Sequence, residues 1–169
     1  MKLLLTVLAV TIANLTYSPD GSKMAYTLNN DLYVKDVATE VETRLTDDGS
    51  ETVLNGYASW LYYEEVLGRA SKYKAFWWSP DSRKIAFYRF DDSNVDVFPI
   101  FSADGQTGSL KLTRYPKAGR PNPLVRIGIV DLTRPGEIIW VDFDYNDNQY
   151  FGTPFWGPDS KKFFVQREP

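Results

Sequence analysis

Tyr17-Ser18-Pro19-Asp20-Gly21-Ser22-Lys23, Trp78-Ser79-Pro80-Asp81-Ser82-Arg83-Lys84 and Trp156-Gly157-Pro158-Asp159-Ser160-Lys161-Lys162 are three copies of one phrase. An aromatic residue leads through Ser or Gly into Pro-Asp, and a small residue and a basic one then open an apolar run. Proline presets the first turn dihedral and aspartate bonds back to its own backbone, so each copy reads as strand, tight turn, strand. Hairpins repeated with an aromatic entry and an apolar exit predict a radially repeated all-β architecture, a partial β-propeller of about three blades. Each blade is expected to be a four-stranded antiparallel meander. In the first, strands fall at Lys23 to Leu28, Leu32 to Val37 and Thr43 to Thr46, with turns at Asn29-Asn30-Asp31 and Asp47-Asp48-Gly49-Ser50.

The prolines of successive copies, Pro19, Pro80 and Pro158, stand 61 and then 78 positions apart. A compact blade repeats every ~40 to 50 residues, so each interval holds an insertion. Insertions on a rigid scaffold are where binding residues concentrate. The first spans Asn55 to Gly68, where Ser59 as N-cap and Gly68 as stop predict a short helical insertion over Trp60 to Leu67. The second runs from Arg89 to about Pro123, and Pro116, Pro121 and Pro123 favour an extended connector at its end. Leu124 to Leu132 and Glu137 to Phe143 return to strands around Thr133-Arg134-Pro135-Gly136.

The chain contains no histidine and no cysteine. A Ser-His-Asp or Cys-His nucleophilic site cannot be assembled from it alone, and histidine- or thiolate-bound zinc is excluded. No cofactor is expected. A net charge of -3 without a basic run argues against a nucleic-acid partner and leaves peptides or proteins. Residues 1–13 have two readings. Met1-Lys2 followed by the uncharged run Leu3 to Ala13 has the layout of a secretory signal, which would make the protein secreted or periplasmic, while its Val, Ile and Thr content equally suits a strand. Residues 14–169 are expected to form the propeller portion.

Glu64 and Glu65, fenced by Trp60, Leu61, Tyr62, Tyr63 and Val66, are the sharpest polar feature. Adjacent carboxylates in a partly apolar setting repel each other until a cation arrives, and an α-ammonium offers three donors for them. The alternative is a pair that complements a helix dipole or sits solvated on the surface. Asp47-Asp48-Gly49-Ser50 and Asp142, Asp144 and Asp147 resemble fragments of calcium loops without the full ligand pattern, and read as solvated turns. Ser79 lies in a Pro-Asp turn rather than a nucleophile elbow. Phe76-Trp77-Trp78 and Tyr150-Phe151 read as packing between blades.

The run Trp60 to Val66, then Ala75 to Ser82, Ile85 to Asp92, and Tyr115-Pro116-Lys117-Ala118-Gly119 with Asn122-Pro123, resembles the N-terminal β-propeller of dipeptidyl peptidase IV-type serine exopeptidases. The likeness runs from about residue 13 to the C-terminus. It implies that Glu64 and Glu65, on a short helix projecting from the propeller, grip the free N-terminus of a peptide from which dipeptides or tripeptides are removed, with a small or proline residue before the cut. Relatives often carry an acidic residue where this chain has Tyr63. The catalytic serine, aspartate and histidine of the family lie in a C-terminal α/β-hydrolase domain beyond this chain. A homodimer through propeller extensions is also implied. The rival expectation is a non-catalytic propeller serving as a protein-interaction platform.

Overall fold

The computed structural model describes residues 12–168. The leader expectation falls mostly on residues outside that range. Its last two, Ile12 and Ala13, open the first strand and pair with Leu28 and Thr27.

The first blade is a four-stranded antiparallel sheet in sequence order: β1 (Ile12–Tyr17), β2 (Lys23–Leu28), β3 (Asp31–Asp36) and β4 (Glu42–Arg44). The Pro-Asp turn between β1 and β2 is closed by its own polar side chains. Ser18 Oγ donates to Asp20 Oδ1 at 2.7 Å and the Ser22 N–H donates to the same oxygen at 2.9 Å. Those bonds hold the Asp20 carboxyl well below the usual carboxylate range. The second copy repeats the arrangement, with Ser79 Oγ donating to Asp81 Oδ1 at 2.6 Å.

The second blade shows how an insertion is accommodated. One edge is split: β5 (Val53–Asn55) and β6 (Phe76–Trp78) lie end to end along β7 (Lys84–Asp91), which pairs in turn with β10 (Leu124–Asp131) and then β11 (Ile138–Trp140). Between β5 and β6 the chain leaves the sheet. Between β7 and β10 it forms a separate hairpin of β8 (Val97–Ser102) and β9 (Ser109–Arg114), followed by the expected unpaired stretch over 115–123. Gly128 in β10 packs under the Phe87 ring so closely that a Cβ there would lie 2.6 Å from its carbons.

The third copy supplies only an opening hairpin, β13 (Phe155–Trp156) with β14 (Phe163–Phe164), extended by β12 (Tyr150–Phe151) with β15 (Arg167–Glu168). The all-β partial propeller is thus a four-stranded blade, a five-stranded blade whose split edge holds β5 and β6 in line, and the start of a third.

Adjacent blades are joined by a repeated two-rung contact. Trp78 Nε1 donates to the Thr16 carbonyl at 3.2 Å, and Trp156 Nε1 donates to the Trp77 carbonyl at 3.1 Å. The Asp20 N–H donates to Ser82 Oγ at 3.1 Å, and the Asp81 N–H to Ser160 Oγ at 3.0 Å. Apolar cores fill the spaces between. Ala25, Leu32, Val34 and Leu45 pack on Phe76, Ile85, Phe87 and Val130, while Tyr62, Tyr88, Phe90 and Ile127 pack with Phe151. Buried Asp31 accepts from Arg44, Thr46, the Gly49 N–H and Asn55, tying the first blade to the start of the second.

Candidate functional site

The excursion between β5 and β6 begins and ends at one residue of the neighbouring strand. The Gly56 N–H donates to the Tyr88 carbonyl and the Tyr88 N–H to the Ala75 carbonyl, each at 2.9 Å, and Tyr57 bridges to Lys74. Gly56 has φ +69°, and its missing side chain leaves room for Leu32 and Phe76. The neck is therefore rigid. From it rises a π-helical turn over Tyr62–Val66, in which the Leu67 N–H reaches the Tyr62 carbonyl at 2.7 Å, and then a 3₁₀ turn over Arg69–Ser71. Local π geometry widens a helix and recurs at functional sites.

Ser59 does not supply the expected side-chain cap. Its carbonyl accepts the Tyr63 N–H at 3.0 Å, but its hydroxyl is buried without a hydrogen-bond partner. That hydroxyl lies near the buried carboxyl of Asp92, whose Oδ1 is also unpartnered. Burial pushes Asp92 up to about 7, against the influence of Ser59 and Arg114 and with that of Asp91.

Two adjacent tyrosines fix the turn. Tyr62 is fully buried, packs on Phe90 at 4.7 Å between ring centroids, and accepts the N–H of Phe151. Tyr63 stacks on Tyr73 at 3.7 Å, and Tyr73 stacks on Tyr57 at 5.0 Å. Tyr73 holds a left-handed φ of 68°, a conformation bulky side chains rarely adopt. Burial first, then the neighbouring Tyr57, Tyr63 and Glu64, pushes its hydroxyl up to about 12.

Glu64 and Glu65 follow on this clamped turn. Glu65 is exposed. The Glu64 side chain is 14% exposed, and its Oε2 accepts from Arg69 Nε at 2.5 Å. The cation that a carboxylate pair calls for is thus partly supplied by the chain itself. Sequence reading missed Arg69 because its approach depends on Gly68, which turns the chain back at φ 76° and ψ 153°.

Most of the remaining candidates have structural partners. Asp48 accepts from Asn55 and from Arg89, each at 2.8 Å. Asp147 pairs with Arg167 at 3.2 Å, and Asp144 closes its own turn through the Asn146 N–H. Among the described residues no group of three or more His, Cys, Asp or Glu side chains converges as metal ligands. Buried Ser79 is committed to Asp81. Phe76 and Phe151 are core residues, and Trp77 packs on Tyr88 at 4.9 Å. A cavity of about 620 Å³ beside Arg120, Asn122 and Tyr150 is lined by neither glutamate.

Antiparallel blades in series, with an acidic turn extruded between β5 and β6, define a partial propeller that carries an acidic insertion. The chain belongs to the family described as the dipeptidyl peptidase IV (DPP IV) N-terminal region, whose model matches residues 5–168. It is 40% identical over 129 residues to prolyl endopeptidase FAP of Mus musculus, covering 75% of this chain and 17% of that protein. It is 41% identical over 121 residues to dipeptidyl peptidase 4 of Sus scrofa, covering 69% and 15%. The crystal structure of Porphyromonas gingivalis dipeptidyl peptidase 4 superposes with a TM-score of 0.79 at 25% identity, over 92% of this chain and 22% of that one. The chain thus spans less than a quarter of the length of these relatives.

Proposed function

We propose that this chain is the substrate-binding propeller portion of a serine exopeptidase of the dipeptidyl or tripeptidyl type, and that Glu64 and Glu65 hold the free α-amino group of the peptide. The observation that carries the reading is the clamped π-helical turn, which sets the exposed Glu65 beside the Arg69-paired Glu64 above the neck while Tyr62 and Tyr63 are held in packing. An ammonium bound this way fixes how many residues reach a cut site further along the peptide. Hydrolysis then belongs to a partner α/β-hydrolase domain, since this chain has no histidine to serve as general base. The exposed apolar residues of the β8–β9 hairpin, Val97, Phe101, Leu110 and Leu112, support the homodimer that the family resemblance implies. The uncharged N-terminal run supports secretion or a periplasmic location, and among the described residues no helix is long and apolar enough to cross a membrane.

The test is a titration of the chain, followed by ¹⁵N NMR, with a proline-containing tetrapeptide in free and N-acetylated forms. Glu65→Gln keeps shape and replaces a charge-assisted bond with a neutral one, a loss of roughly 1.5 to 3 kcal/mol. Binding of the free peptide should weaken about tenfold to 150-fold, and acetylation should abolish it in the wild type. Equal binding of free and acetylated peptides would refute the anchor.

A further inference from the structure

We propose that Arg69 is a specificity-determining residue, a charge filter that favours peptides with an acidic first residue over neutral ones and neutral ones over basic ones. The inference rests on reading Glu64 and Glu65 as the amino-terminal anchor and adds the side-chain class that the anchor selects.

The Arg69 side chain makes one hydrogen bond among the described residues, from Nε to Glu64, and is 75% exposed. Most of the guanidinium fork thus stays open to solvent beside the carboxylates. It is not on a loose loop. Gly68 turns the chain, the Ser71 N–H closes on the Gly68 carbonyl at 3.0 Å, the Lys72 N–H closes on the Arg69 carbonyl at 3.1 Å, and Lys72 ends the turn in a left-handed conformation.

An arriving α-ammonium and Arg69 are two cations drawn to one carboxylate, Glu64. A neutral first residue must share Glu64 or displace Arg69, and a displaced Arg69 loses its partner. An aspartate or glutamate at that position branches from the same Cα as the ammonium. Its carboxylate can take up the guanidinium in the planar, two-pronged geometry arginine favours, so Glu64 is released without leaving Arg69 unpaired. A lysine at that position would meet the guanidinium charge instead. Exposed ion pairs are individually weak, so each step in this ranking should be small and sensitive to salt.

The experiment titrates the chain with the amidated peptides Asp-Pro-Ala-Ala, Ala-Pro-Ala-Ala and Lys-Pro-Ala-Ala, plus N-acetylated Ala-Pro-Ala-Ala, for the wild type, Arg69→Met and Arg69→Lys. The wild type should rank Asp over Ala over Lys in steps of about twofold to fivefold. Arg69→Met, which keeps the stem and removes the charge, should flatten the ranking and bind the Ala peptide tighter by a similar factor. Arg69→Lys should keep the order with a smaller preference for Asp. An unchanged ranking in Arg69→Met, with discrimination against the acetylated peptide intact, would overturn the charge filter alone. If no free peptide binds the wild type, or the acetylated one binds equally well, the anchor reading falls and the filter with it.

Discussion

The phenol oxygen of Tyr62 accepts the backbone N–H of Phe151 at 3.1 Å across 89 positions of sequence. Both residues are buried, so the bond satisfies a donor that water cannot reach. It also couples the turn bearing Glu64 and Glu65 to the third blade.

Tyr62→Phe keeps the ring in its pocket and leaves the Phe151 N–H unpartnered. Urea unfolding should show a loss of about 1 to 3 kcal/mol. A change below about 0.5 kcal/mol would mean that the bond carries no net stability.

Asp92 gives the chain an inverted pH response. Its folded value is raised to about 7, above the ordinary carboxylate value, so its contribution to stability is full below that ordinary value and is lost as pH rises through about 7. The carboxyls of Asp20 and Asp81, held low by turn hydrogen bonds, act in the opposite sense and only in more acidic solution. Between pH 5 and pH 8 the wild-type Tm should fall more than that of Asp92→Asn. Parallel Tm curves for the two proteins would show that Asp92 titrates normally.

The two-rung contact between blades predicts coupling within an interface. Ser82→Ala and Ser160→Ala act at different interfaces and should each cost about 0.5 to 1.5 kcal/mol. Trp156→Phe and Ser160→Ala share an interface, and their double mutant should depart from the sum. Full additivity in that second pair would argue against a common contact.

At Gly128 the constraint is volume. Gly128→Ala sets a methyl group against the Phe87 ring and should cost about 1 to 3 kcal/mol by overpacking, measured by thermal melting. Combining it with Phe87→Leu should recover part of the loss. Wild-type stability in Gly128→Ala alone would show that the ring moves aside freely.

What could be read from the sequence was whatever local chemistry decides. Pro-Asp with its flanking Ser fixes a turn within a few residues, so all three hairpins were legible, and Gly68 marked the end of the helical turn. The strand Val53–Asn55 was not seen, its last residue being counted as the start of the insertion, because three residues carry too little periodicity. Its register comes from Asp91, Phe90 and Arg89 across the sheet. The β8–β9 hairpin was hidden by Pro99, which argues against a strand yet pairs opposite Leu112 in a two-stranded ribbon with free edges. At the site, Glu64 and Glu65 stood out by adjacency. Arg69, Tyr73 and Asp92 did not, since a backbone reversal, a left-handed residue and a neighbouring strand bring them there.

The contact between blades also has a direction. At the two rungs of both observed interfaces the later blade contributes side chains, Trp78 with Ser82 and Trp156 with Ser160, and the earlier blade answers with main-chain groups, although in the second interface the Lys84 side chain also reaches across to the Ser160 carbonyl. Main-chain groups exist whatever the side chain, so an earlier blade imposes no residue choice at its rungs. During synthesis from the N-terminus, each emerging hairpin would meet a receptor surface already complete, and blades could be added in order, none waiting for its successor. Over evolutionary time the same asymmetry lets a duplicated blade bring its own rung side chains, so that only the apolar core between blades has to be matched anew.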